Sequence, residues 1–91
     1  MSSSELQKAY DELTPKGYRP IAVSGYQRGD ATRFAAVFIK DPAAWQARHN
    51  IRATQLDAEF RKWTDKDYRP LSISAFYNGD ELRYAIVWVK E

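Results

Sequence analysis

The sequence contains no cysteine, one histidine and one methionine. Without thiols there are no disulfides, no thiolate nucleophile and no cysteine-based zinc site. A single imidazole supplies no recognised metal set, so neither a metal nor a cofactor is expected. A large charge of one sign is also lacking. Fourteen Lys and Arg stand against twelve Asp and Glu, leaving +2, which gives little electrostatic drive toward nucleic acid or a membrane surface. No apolar run approaches the about 20 residues that span a bilayer. Met1-Ser2-Ser3-Ser4-Glu5 has neither the basic segment nor the apolar stretch of a secretion signal. The expectation is a soluble, unexported chain of unassigned compartment.

What is present is a duplication. Tyr18-Arg19-Pro20 returns as Tyr68-Arg69-Pro70, an offset of 68 − 18 = 50 that holds without a gap from Leu6/Leu56 to Lys40/Lys90. Identical pairs include Ser24/Ser74, Gly29/Gly79, Asp30/Asp80, Arg33/Arg83 and Val37/Val87. A fixed period means one supersecondary unit used twice. With 91 residues, the chain has room for one small domain, and a lone repeat cannot bury its own apolar face. Repeats at 4–41 and 54–91, joined by a connector at 42–53, are therefore expected to share one interior. Hydrophobic content of 44% and aromatic content of 14% are enough to support a folded globule.

Leu6, Ala9, Tyr10 and Leu13 form one stripe at helical spacing, predicting a helix from Ser4 to about Lys16. Ser4 with Gln7 would cap its start, and Pro15 and Gly17 would end it. Ala53, Leu56, Phe60 and Trp63 make the matching stripe of a second helix, capped by Thr54 and Asp57. Each helix is followed by two apolar runs about a tight turn, Arg28-Gly29 in the first copy and Asn78-Gly79 in the second, the pattern of a hairpin. A two-residue loop sets Gln27 against Asp30 and Ser24 against Arg33. One face then carries Ile21, Val23, Phe34 and Phe38, and the other carries Ser24, Tyr26, Arg33, Val37 and Ile39. The second hairpin is expected to present Leu71, Ile73, Tyr84, Ile86 and Trp88 on its main face. Trp45 and Ile51 should anchor the connector. The predicted fold class is α+β, an αββ unit repeated. Its simplest form is one four-stranded antiparallel sheet with both helices on one face.

At this point a resemblance enters. Trp45-Gln46-Ala47-Arg48-His49, then a helix, then Tyr68-Arg69-Pro70, Asn78-Gly79-Asp80 and Arg83-Tyr84-Ala85-Ile86-Val87-Trp88 resemble the bacterial tandem repeat domain. That family occurs in strings of copies, often beside serine-hydrolase domains of β-lactamase type, and polyglycine hydrolases carry a similar N-terminal region. The first copy is looser, with Met1 to Ser4 in place of the tryptophan-led segment and Phe38 where Trp88 stands. The resemblance implies an accessory binding module with no activity of its own.

The chemistry-bearing residues agree with a non-enzymatic reading. None of the six serines has a lysine three residues on, so the Ser-x-x-Lys nucleophile pattern is absent. His49 is expected to play a structural part near the second helix. Arg28-Gly29-Asp30 spells an adhesion tripeptide, but Gly-Asp recurs where Asn78 replaces Arg28, so turn geometry accounts for it. The candidate binding residues are Ser24, Tyr26 and Arg33 with their repeats Ser74, Phe76 and Arg83. They would line a polar-aromatic surface on a helix-free sheet face, where guanidinium and ring groups can engage carboxylates, sugars or peptides. The expected partners are a protein, a peptide, a cell-envelope polymer or a second copy through a sheet face or edge. Binding of single-stranded nucleic acid by stacking is the alternative.

Overall fold

The computed structural model describes residues 1–90. Helix α1 (Ser3–Leu13) starts one residue earlier than expected because Ser2 is its cap. The Glu5 N–H donates to Ser2 Oγ at 3.2 Å and the Ser2 N–H donates to Glu5 Oε1 at 2.9 Å, a reciprocal capping box. Ser4 and Gln7 do not serve. A 3₁₀ turn at Thr14–Lys16 carries Pro15, and Gly17 closes it at φ 87°. Strands β1 (Tyr18–Arg28) and β2 (Ala31–Lys40) form the first hairpin. Strand β3 (Ala44–Arg52) runs directly into helix α2 (Ala53–Thr64). The cap at that junction is the Gln55 side chain, which accepts from the Arg52 N–H, rather than Thr54 with Asp57. Strands β4 (Arg69–Asn78) and β5 (Glu81–Lys90) make the second hairpin.

The strands do not form one four-stranded sheet. They form two separate antiparallel sheets, β1-β2 and β3-β5-β4. The expected connector at 42–53 supplies the fifth strand, with Trp45 opposite Val89 and Ala47 opposite Val87. Its alternation of Trp45, Ala47, His49 and Ile51 with Gln46, Arg48, Asn50 and Arg52 is the period of a strand. A bulge after Arg48, with Asn50 at φ 59°, shifts its register.

Both hairpin loops lie one residue later than expected. Arg28 faces Ala31 and Asn78 faces Glu81, so the loops are Gly29-Asp30 and Gly79-Asp80. Glycine takes the first loop position at φ 62° and 66°, the glycine-first arrangement of tight hairpins. Moving the loop by one residue changes partners by two positions, so the faces keep their membership apart from Ile21. Tyr26 now opposes Arg33, and Ser24 opposes Ala35. Each hairpin also carries a bulge one residue after its proline, at Ile21 and at Leu71, where a missing donor already weakens the ladder. Pro20, opposite Phe38, is buried in the place expected for Ile21.

β5 lies between two cores. Its Ala85 and Val87 join Leu6, Tyr10, Val23, Phe34 and Phe76 in one cluster. Its Ile86 and Trp88 join Ile51 and Trp63 in the other, with Leu56, Phe60, Tyr68 and Tyr84 against it. Since successive side chains point to opposite faces, α1 and α2 lie on opposite faces of β5, not on one. Leu71 and Ile73, expected in the main face of the second hairpin, are exposed. At the start of β1 the buried Arg19 guanidinium donates to Asp41 Oδ2 at 2.6 and 3.0 Å. That contact holds the Asp41 carboxyl below its ordinary value and ties the two ends of the hairpin together.

Candidate interaction surface

The six candidate residues divide between two environments. In the first hairpin Ser24, Tyr26 and Arg33 share the face turned away from α1, because α1 packs through Tyr10 against Phe38 on the other face. Ser24 and Tyr26 are exposed there, and Arg33 is half-buried beside them. Val37 and Ile39, which alternate with the half-buried Phe38, extend this face as exposed apolar side chains. The result is a polar-aromatic margin on an apolar strip.

In the second hairpin the matching residues are consumed internally. Ser74 Oγ accepts from the Gly25 N–H at 3.1 Å. Phe76 is buried edge-on against Phe34, 5.3 Å between ring centres. Arg83 donates to the Asn50 carbonyl at 3.1 Å and to Glu81 Oε2 at 3.0 Å. The helix-free face of the second hairpin is thus seated on the helix side of the first. Of the expected open surface of six residues, Ser24 and Tyr26 are exposed, Phe76 is buried, and Arg33, Ser74 and Arg83 are half-buried.

His49 serves α1 rather than α2. Its Nε2 shares a 2.6 Å hydrogen bond with Ser3 Oγ, and its ring lies edge-on to Phe34 at 5.2 Å. Desolvation pushes its pKa below the usual imidazole value. A serine paired with a histidine has the outline of a nucleophile and base, but the base also needs an orienting group. Asp41, the nearest carboxylate of note in sequence, is committed to Arg19. The contact reads as a clip between the first turn of α1 and β3, two parts of the chain 46 residues apart. The sequence signal for this pairing was slight, since nothing in the spacing of Ser3 and His49 marks them as neighbours.

An open groove of about 660 Å³ runs between α1 and β3, lined by Gln7, Tyr10, Asp11, Trp45 and Arg48 among others. None of the six candidate residues lines it. Burial raises the Tyr10 hydroxyl pKa to about 12, which leaves it protonated and unreactive at neutral pH. On the far side of β3, Arg48 stacks over the Trp63 ring at 5.1 Å, a contact that covers the second core. Among the described residues no three His, Cys, Asp or Glu side chains converge as a metal set. No helix among them is long and apolar enough to cross a membrane.

The duplication has a counterpart outside this chain. The family model described as polyglycine hydrolase-like, structural repeat, matches twice, at residues 1–41 and 42–91. The chain belongs to this family. No curated protein matches it. Within the polyglycine hydrolase-like repeat, the second match takes in β3, α2 and the hairpin. The first takes in α1 and its hairpin, with Met1 at the place that Ile51 of β3 has in the second. The Met1 amine donates to the Phe34 carbonyl at 2.7 Å and the Phe34 N–H donates to the Met1 carbonyl at 2.6 Å. Shifted by 50, this pair is Ile51 and Tyr84, which are partners in the β3-β5 ladder.

Proposed function

We propose that the chain is a non-enzymatic interaction module that engages a protein or peptide surface through the helix-free face of its first hairpin. The observation that carries this reading is the exposure of Val37 and Ile39 on one hairpin face, with Tyr26 exposed on the same face beyond the Ser24–Ala35 pair. Exposed apolar side chains interspersed with polar groups are the usual character of a protein contact surface. Arg33 opposite Tyr26, and Ser24 between Tyr26 and Val37, suit hydrogen bonds to backbone or carboxylate groups of the partner. Stacking of single-stranded nucleic acid would need a basic channel along the strip, and the near-balanced charge of the sequence supports none. The Ser3–His49 contact is read as structural, since Asp41 is committed to Arg19. The family description, a polyglycine hydrolase-like structural repeat, supports a structural part for the chain.

Chemical-shift mapping of the isotope-labelled chain tests this directly. Extended peptides, soluble cell-wall fragments and a single-stranded oligonucleotide are titrated in turn, and the chain is also diluted against itself. Shifts centred on Tyr26, Val37 and Ile39 are expected with peptides or with rising chain concentration. A response to the oligonucleotide alone would overturn the reading.

A further inference from the structure

The 50-residue offset matches exposed apolar side chains of one repeat with buried ones of the other. Tyr26, Val37 and Ile39 are 44, 53 and 37% exposed, whereas their counterparts Phe76, Val87 and Val89 are 4, 0 and 0% exposed. On the other face the order reverses. Ile73 is 55% exposed and its counterpart Val23 is 2% exposed. For Phe76, Val87 and Val23 the cause is a single contact, whereas Val89 lies opposite Trp45 of β3. The helix-free face of the second hairpin, through Phe76, Ala85 and Val87, packs on Val23 and Phe34 at the helix side of the first. The chain therefore holds one complete junction and the two unmatched halves of another. One half is the helix-free face of the first repeat. The other is the Ile73 flank beside α2 in the second.

We infer that these two surfaces dock on one another between copies of this chain, head to tail, so that each is covered by a second copy. The inference rests on the interaction-module reading above and adds the occupant and its orientation. The internal junction supplies the template, because a face of this chemistry is already covered by a face of that chemistry inside the molecule. The surfaces are different, so the contact is heterologous and either closes into a ring or extends. Ser24 stands where Ser74 accepts from the Gly25 N–H, and takes the same role toward the backbone of the next copy. One residue departs from the template. Ala75 stands where Gly25 does, and a Cβ at position 25 would lie 2.2 Å from the Phe76 ring. The incoming Tyr26 ring must therefore sit further out, and the junction between copies is looser than the one within.

Sedimentation of the intact chain and of two variants, Val37→Asp and Ile73→Asp, tests the inference. Both sites are exposed, and retention of the far-ultraviolet spectrum confirms folding, with Val37→Lys and Ile73→Lys as substitutes where a variant does not fold. The intact chain is expected to show species that grow with concentration. Each variant alone is expected to be monomeric or far weaker in association. An equimolar mixture of the two should recover a heterodimer, since one intact junction remains, and nothing larger. Ala75→Gly should raise the association constant several-fold. If the intact chain stays monomeric at every concentration, or if Ile73→Asp associates as well as the intact chain, the head-to-tail assignment falls. Peptide-induced shifts at Tyr26 and Val37 would in that case leave the interaction-module reading standing.

Discussion

Gly25 shows how much of this fold rests on single positions. It lies within β1, away from any turn, and its role is to leave space. A Cβ there would come within 2.2 to 2.6 Å of three atoms of the Phe76 ring, far inside van der Waals contact. The ring fills the room that the missing methyl leaves, and the Gly25 N–H next to it bonds to Ser74. Gly25→Ala should therefore force the Phe76 ring off its seat and cost roughly 1–3 kcal/mol, the scale for overpacking a tight core. A lowered urea midpoint with an unchanged slope would record it, and an unchanged midpoint would show that the ring has room to move. The sequence marks Gly25 only as the unmatched partner of Ala75. Its meaning depends on which side chain the other repeat presents to it, and that is a tertiary fact.

Among the elements, α1 and β3 were the least completely readable. The stripe of Leu6, Tyr10 and Leu13 announced α1, yet not which sheet face it would cover. β3 was present as a period-two alternation, but Asp41-Pro42 at its head and its short span between two clearer units made it read as a connector. The bond between Ser3 and His49 and the packing of Tyr10 against Trp45, with ring centres 5.5 Å apart, join these elements. This contact gives the docking of α1 a pH dependence. Burial lowers the folded-state pKa of His49 below 6.5, so the folded chain favours the neutral ring and the unfolded chain binds the proton more readily. Stability should be greatest above about pH 6.5, decline as the pH falls from there toward the lowered folded value, and level off below it. Denaturation midpoints measured across that window, compared with those of His49→Gln, should show the slope flatten in the variant. The Asp41 and Glu5 carboxyls, both held below their ordinary values, add a further loss only in more acidic solution.

For the whole molecule, the two repeats are not equal partners. The second core draws all its residues from the second repeat: Ile51, Trp63, Ile86 and Trp88, with Leu56, Phe60, Tyr68 and Tyr84 against them. The first core takes Leu6, Tyr10, Val23 and Phe34 from one repeat and Phe76, Ala85 and Val87 from the other. Residues 1–41 alone lose half of their only core and should be unstructured in solution. Residues 42–91 alone keep a core of their own and should retain a helical and strand signal, at reduced stability, with Phe76 and Val87 bared. A well-dispersed amide spectrum from 1–41 would contradict this, as would the absence of folded signal from 42–91.

By itself the sequence determined the duplication, the two helices, both hairpins and each hairpin face apart from Ile21 and Leu71, because periodicity and turn chemistry are local and repeat at a fixed offset. It also brought forward Ser24, Tyr26 and Arg33 as one surface, since residues two apart on a strand share a face whatever lies beyond it. Only the tertiary structure decided that the sheets are separate, that β3 completes one of them, and that Phe76 is buried and Ser74 bonded to Gly25 while Tyr26 and Ser24 are exposed. Near-identical hairpins carry near-identical local signals. What separates them is which face meets the other repeat, and that is set by packing between segments 50 residues apart, which no local pattern records.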